Sequence, residues 1–442
     1  MNTNLKALLG ATVAAAALLT SACGENEAET APVVTETEPA TTFAQPATAL
    51  GLPTAAPADV GFSAEGLQSL SDEFRALVDN KELAGVTTLL SRHGQIVHFD
   101  TYGAANADTG EPLQPESIFR IASMTKPIAC VAMMQLWEQG KWKLDDPVAM
   151  HIPEFANLRV KKPDGTTEPQ ATPMTMAQLM SHSAGFGVSA TYADAGLGSG
   201  DLQDMIDTLS VLPLETQPGT AWDYGPSVNI QGYLVEKLSG QSLDVYFDEH
   251  IFAPLGMVDT AFWVPEDKAS RVVAIHTYDD DGKIVAAGAT NNVRTEKPEM
   301  LSASGGLMST AADYWRFSQA ILNGGELNGA RILQPETVEL MYQNVLADGV
   351  DVDLYGPAMP GIRFGMDFAI VADPEAWGTG QGLNTHYWGG AFGTWFWIDP
   401  TNDIVFVGMI QNRNGSRPDG GTPRTRELSP RATYAALTDP SK

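Results

Sequence analysis

The chain has 442 residues, 43% hydrophobic and 18% charged. That is enough apolar material to bury one large core or two ordinary ones, and it excludes disorder over the whole length. A formal charge of −28 argues against a nucleic-acid or anionic-surface binder, since no cationic excess exists to replace the counterions of phosphates; the acidity suits the solubility of a secreted protein.

The chain opens MNTNLKALLGATVAAAALLTSAC. Lys6 is its only charged side chain, and the apolar run from Ala7 to Leu19 is too short to span a bilayer, which takes about 20 residues. Residues 1–22 therefore read as an export signal. The run ends in Leu19, Thr20, Ser21, Ala22 and Cys23, which resembles a bacterial lipoprotein box, with small residues at the cleavage site and a cysteine to carry the lipid. The expectation is an exported protein, periplasmic or anchored in the outer membrane through Cys23. Thr20 stands where leucine is usual, so ordinary signal-peptide cleavage is the alternative. With Cys23 lipidated, Cys130 has no disulfide partner and reads as a small buried hydrophobe. Residues 23–57, rich in Ala, Thr, Glu and Pro, offer almost nothing large to bury and read as a disordered tether. The folded domain is expected over 58–442.

Ser63 is a helix N-cap candidate, followed by Leu67, Leu70, Phe74, Leu77 and Val78 on one face at a 3.6-residue period. VTTLLSRHGQIVHFDTYG then places two β-rich runs either side of Arg92, His93, Gly94 and Gln95, which predicts a hairpin. The apolar segment behind Ser123 runs to Gly140 and, being hydrophobic on most faces, predicts a central helix. From about 145 to 300 the pattern is mixed, with helical stretches such as MTMAQLMSHS and SVNIQGYLVEKLSG. GTWFWIDPTNDIVFVGMIQN gives two late strands with DPTND as their turn. The sum is an α+β domain: an antiparallel sheet assembled from both ends of the chain, flanked by helices, with a mostly helical region inserted.

The chemistry begins with FRIASMTKPIACVAMMQLWEQG, residues 119 to 140. A lone SxxK is weak evidence, expected roughly once by chance in a chain this long. Here Ser123 and Lys126 stand at i and i+3 on one helix face, at a helix N-terminus, with Lys126 in apolar surroundings. Burial disfavours an ammonium and readies an amine to take a proton from a hydroxyl. The free N–H groups and positive dipole end of a helix start suit a developing oxyanion. Pro127 is tolerable there, because first-turn N–H groups lack intrahelical partners.

FRIASMTK, LMSHSAGFG, PGTAWDYGPSVNIQGYLVEKLSG, FAPLGMVDT, SASGGLMSTAADYWRF and YWGGAFGTWFWIDP occur in the order seen in the serine β-lactamase and penicillin-binding-protein superfamily. The resemblance covers about residues 58–412 and is nearest to the family VIII carboxylesterases, the esterase branch that resembles class C β-lactamases. It implies a β-lactamase-like fold, Ser123 as acylated nucleophile, Lys126 as its proton acceptor and Tyr224 as the second member of the base pair. An unperturbed phenol holds its proton to about pH 10, so a shuttle at Tyr224 needs cationic neighbours. The resemblance also implies that the Trp388 to Ala391 strand edges the site, and that the N–H groups of Ser123 and Ala391 form the oxyanion hole. Trp388, Gly389 and Gly390 would border the substrate, glycines letting backbone approach it closely.

Two departures bear on substrate. Trp388 stands where the β-lactamases and peptidases usually carry a lysine or histidine, and it has no charge to hold a carboxylate. Pro226 stands where many members place an asparagine that bonds an acyl-side amide. Gly225 replaces a frequent serine, and Ser227 or Asn229 is the candidate to brace that loop instead. The implied function is hydrolysis of carboxylic esters with short or medium acyl chains, a small-molecule substrate and no cofactor. The alternatives are a β-lactamase or D-amino-acid peptidase, or a tethered cell-wall sensor that acylates without turnover.

LMSHSAGFG also invites reading as a G-x-S-x-G elbow around Ser183, but Ser181 fills the first glycine's place and the flank is helical where that elbow needs a strand. His182 reads as a structural loop histidine and His386 as a surface-strand residue. None of the seven histidines shows a paired metal-binding spacing, so no metal is expected.

Overall fold

Ser63 begins the first long helix as its sequence demands. Its hydroxyl accepts from the N–H of Gly66 at 3.0 Å, and Leu67, Leu70, Phe74 and Val78 of the Ala64–Asp79 helix turn into the core. The computed structural model describes residues 44–354, 356–413 and 423–442; the export signal, Cys23 and most of the expected tether lie outside the described residues. The folded part starts earlier than residue 58. Gln45–Ala49 is a short helix, Ala44 and Ala47 are buried, and Thr54 bridges to Ile96. Small alanines give little hydrophobic signal in a sequence, yet they suffice where a helix lies close against a strand.

One sheet of eight antiparallel strands forms the frame. Ile362–Phe364, Ala369–Val371, His386–Gly389, Trp395–Asp399 and Ile404–Met409 lie side by side in that order. Gly85–Arg92 comes next, then Gln95–Asn106 and Glu111–Pro112. The seam pairs Thr87 with Met409 and Arg92 with Ile404, so the two ends of the chain meet inside the sheet. Both expected hairpins are present. In the first, His93 and Gly94 both take positive φ, 54° and 69°, as a two-residue hairpin turn requires.

Alternate side chains of the seam strands feed two cores. On one face Leu90, Trp395, Trp397 and Phe406 pack with the Ala64–Asp79 and Thr425–Ala436 helices. On the other, Leu89, Phe396, Val405 and Val407 join the core that contains the Ala311–Leu322 helix. Burial on both faces explains why these strands read as continuous apolar runs.

The helix behind Ser123 spans Thr125–Glu138 and is buried from Thr125 through Leu136; it packs on Ser227–Ser239. Ile128, Val131, Met134 and Leu136 each contribute about 2 kcal/mol by burial, more than a surface ion pair gives, so packing fixes the platform that carries Lys126. The chain leaves this helix through Gly140 at φ 70°. Cys130 is fully buried on it. The region 145–300 is helical as expected, with two small hairpins, Arg159–Lys161 with Thr167–Pro169 and His276–Tyr278 with Ile284–Ala286, that the sequence did not signal.

Candidate active site

Ser123 lies in a 3-10 turn, Ala122–Met124, just ahead of the helix and not inside it, while Lys126 occupies the helix's first turn. Ala122 takes φ 46°, a left-handed conformation that costs an alanine about 1–2 kcal/mol. Its carbonyl is held by the Thr125 hydroxyl at 2.7 Å, and that hydroxyl accepts from Leu307 N at 3.2 Å. Packing thus overrides local preference to present Ser123 at the mouth of the helix.

Ser123, Lys126 and Tyr224 come together. Lys126 Nζ is 3.1 Å from Ser123 Oγ, and the Tyr224 hydroxyl is 2.9 Å from the same oxygen. Lys126 is 3% exposed, donates to the Ser304 carbonyl at 2.7 Å, and lies 4.6 Å from the centre of the Tyr224 ring. The phenol therefore has the cationic neighbour that a proton shuttle needs. Over these distances the Ser123 proton can pass to Lys126 when that is a free amine, or to Tyr224 when that is a phenolate beside a Lys126 ammonium, leaving an alkoxide to attack a carbonyl.

The loop after Tyr224 is braced differently from what Gly225 suggested. A Cβ on Gly225 would stand 2.8 Å from the Gly187 carbonyl, so glycine allows this loop to lie against LMSHSAGFG. Asn229 acts one step away: its Oδ1 accepts from Ser304 N at 2.8 Å and from the Ser302 hydroxyl at 3.1 Å. Among the described residues the buried Ser227 hydroxyl finds no hydrogen-bond partner.

Aromatic rings wall the site. Tyr224 packs against Trp222, Trp388 and His182 with centroids 5.8, 5.5 and 4.8 Å away, and Phe364 closes on Trp222 and Trp388. His182 is more than a loop histidine. It is wholly buried behind Tyr224, with Nε2 3.4 Å from Asp367 Oδ1. Burial, helped by the Lys126 charge, pushes this imidazole well below its usual range, and burial pushes the Asp367 carboxyl well above its own. Ser183 spends its hydroxyl on Ser181 at 2.9 Å. His386, expected on the surface, is buried and stacks on Tyr342 at 3.8 Å.

The strand carrying Trp388 ends at Gly389, so Ala391 sits in the following turn and not on the strand. A Cβ on Gly390 would lie 2.2 Å from Thr394 Oγ1 and 2.4 Å from the Ile121 carbonyl; one on Gly389 would lie 2.5 Å from Arg426 Cζ. The glycine pair therefore brings the turn against the residues preceding Ser123 and makes room for a guanidinium. Among the described residues, the N–H groups of Ser123 and Ala391 donate to no other protein group.

Arg426, Asp367, Asn229 and Ser304 complete the surroundings. Asn229 was named for the wrong loop, and the other three carried no role in the sequence reading. The available hints were slight: a charged residue inside the apolar stretch FGMDFAIV, and two glycines with no visible reason to be paired.

A serine within hydrogen-bonding reach of a lysine one turn on and of a tyrosine from another helix–loop unit, beside an antiparallel sheet, is the arrangement of the serine β-lactamase and penicillin-binding-protein class of hydrolases. The chain belongs to the Beta-lactamase family, whose model matches residues 70–429. Esterase EstB of Burkholderia gladioli is 30% identical over 376 residues, which cover 78% of this chain and 89% of EstB. Lovastatin esterase of Penicillium rubens is 28% identical over 378 residues, 76% of this chain and 91% of the esterase. Among solved structures, EstCE1, described as a hydrolase with promiscuous acyltransferase activity, superposes with a TM-score of 0.69 at 24% identity, over 84% of this chain and 98% of its own; that likeness shows the fold.

Proposed function

We propose that the protein hydrolyses neutral carboxylic esters with short or medium acyl chains through an acyl-enzyme on Ser123. The observation that carries this reading is Ser123 Oγ within 3.1 Å of Lys126 Nζ and 2.9 Å of the Tyr224 hydroxyl. Ser123 attacks the ester carbonyl as its proton passes to the phenolate form of Tyr224 beside the Lys126 ammonium, or to the free-amine form of Lys126, which then re-protonates Tyr224 as Tyr224 gives its own proton to the leaving group. The tetrahedral oxyanion rests on the N–H groups of Ser123 and Ala391, and the leaving alkoxide collects the proton from Tyr224. Water then attacks the acyl-enzyme with the same pair handling its proton, so the chain's own residues supply every group the cycle uses.

The choice of esters over β-lactams or peptides rests on the walls. Trp388 brings no charge for a carboxylate, Pro226 brings no amide for an acyl-side hydrogen bond, and the buried Trp222 and Phe364 pack behind them as an apolar backing. The names of EstB and lovastatin esterase support the same reading. We further propose export and lipid anchoring at Cys23, from the leader sequence.

Ser123→Ala is expected to abolish hydrolysis of p-nitrophenyl butyrate while leaving the circular dichroism spectrum unchanged; retained turnover rules the mechanism out. Wild-type protein should show a much higher kcat/KM on that ester than on nitrocefin, and the reverse order would favour a β-lactamase. A lasting Ser123 adduct after one turnover, read by intact-protein mass spectrometry, would favour a sensor.

A further inference from the structure

We propose that Arg426 is a positioning residue for the oxyanion hole, aiming and polarising the Ala391 N–H from behind through the Gly390 carbonyl. This inference rests on the Ser123 acyl-enzyme reading above.

Arg426 lies on the Thr425–Ala436 helix, far along the chain from every motif that suggested the site. Its Nη2 donates to the Gly390 carbonyl at 2.9 Å and to the Thr394 carbonyl at 3.3 Å. Gly389 has no Cβ to block the guanidinium, which would otherwise be met at 2.5 Å. Among the described residues no carboxylate pairs with Arg426, which is open to solvent along part of its length while its Nη2 end reaches the two carbonyls.

The peptide between Gly390 and Ala391 is trans, which sets its C=O and N–H in opposite directions. Fixing the carbonyl toward Arg426 therefore fixes the Ala391 N–H toward the opposite side. Gly393 N also donates to the Gly390 carbonyl, at 3.0 Å, and Gly390 N donates to Thr394 O at 2.7 Å, so the turn is held at both ends. The Thr394 hydroxyl ties the same turn to the Ile121 carbonyl at 3.1 Å, two residues ahead of Ser123. A charged donor on a peptide carbonyl strengthens the hydrogen bond that the same peptide's N–H makes, an effect that grows in a low-dielectric interior. When the substrate carbonyl becomes an oxyanion, the Arg426 charge behind the same peptide favours it.

The test compares an aryl ester with its thiono analogue, in which sulfur replaces the carbonyl oxygen and accepts hydrogen bonds poorly. In Arg426→Met, single-turnover acylation of Ser123 by the oxo ester is expected to fall about tenfold, less than the loss of a whole oxyanion donor, with KM changed by less than about threefold. Acylation by the thiono ester should fall by less than about threefold. Arg426→Lys should recover part of the oxo-ester rate, since an ammonium keeps the charge but lacks the rigid plane that directs Nη2 at both carbonyls. Equal losses on both esters, or an undiminished oxo-ester rate, would overturn the proposal. If the methionine variant does not fold, the same oxo-to-thiono comparison in Arg426→Lys decides, with a selective oxo-ester loss supporting the proposal and a uniform effect or none rejecting it. Oxo-ester turnover persisting in Ser123→Ala would instead refute the acyl-enzyme itself, which separates the two failures.

Discussion

Asn229 holds Ser304 in place: its side-chain carbonyl accepts the Ser304 N–H at 2.8 Å, and the Ser304 carbonyl in turn accepts from Lys126 at 2.7 Å. A residue on the Ser227–Ser239 helix thereby governs where the lysine nitrogen stands relative to Ser123. Asn229→Ala is expected to lower kcat on p-nitrophenyl butyrate by about tenfold through misplacement of the amine. Two lost hydrogen bonds should cost about 1–2 kcal/mol in urea unfolding. A kcat equal to wild type would mean that Lys126 keeps its position without the loop.

Tyr224→Phe separates the hydroxyl from the ring. The ring's stack on Trp222 and its contact with Lys126 should survive, so stability should stay within about 1 kcal/mol of wild type. Loss of the proton path should reduce kcat by about 10²–10⁴-fold, the usual range for general acid–base catalysis. Steady-state kinetics with p-nitrophenyl butyrate give the answer, and a fall below tenfold would assign the proton to Lys126 alone.

Acid should destabilise the protein through its buried imidazoles. Burial pushes His98, His276 and His386 down to about 4, from an ordinary value near 6.5. Between those values the unfolded chain binds protons that the folded chain refuses, so stability is present above pH 6.5 and is lost as pH falls toward 4. Each fully buried ring accounts for about 3 kcal/mol of that loss. Asp313 opposes the trend: burial pushes its carboxyl up to about 6, so its contribution is present at low pH and lost as pH rises toward 6. In urea unfolding at pH 7 and 4.5, His98→Gln should show a shallower pH dependence than wild type by about one proton's worth. An unchanged slope would mean that His98 takes a proton without unfolding.

Cys23→Ala tests the leader. If the cysteine carries lipid, the wild-type protein should fractionate with membranes and the variant should appear in the soluble exported fraction. Equal partitioning of the two forms would leave ordinary signal-peptide cleavage as the explanation.

The frame of the fold was legible because its signals are local. Ser63 and its apolar spacing, the His93–Gly94 turn and the run from Thr125 to Leu136 each announce their structure within a few residues. Ser123 and Lys126 share a helix end, so their meeting follows from spacing; Tyr224 entered through resemblance to a family, since nothing near it in sequence points to Ser123. The short strands Ile362–Phe364 and Ala369–Val371 have too few residues to display a period. Arg426 and Asp367 stayed hidden because their importance lies in what surrounds them, and a sequence of one chain does not display surroundings. The early boundary failed for a related reason, since Ala44 and Ala47 are buried by joining the main core, which their small side chains do not announce.

The seam between Gly85–Arg92 and Ile404–Met409 sets a timetable for the molecule. Strands so distant in sequence must wait for one another, and ordering a chain of high contact order is slow. The turn at Gly390 and its partner Arg426 are synthesised well after Ser123. On the acyl-enzyme reading proposed above, a polypeptide made only as far as Ser123 holds the serine without the groups proposed to aim the oxyanion donors, and its ester cleavage is expected to rise as the Thr425–Ala436 helix docks.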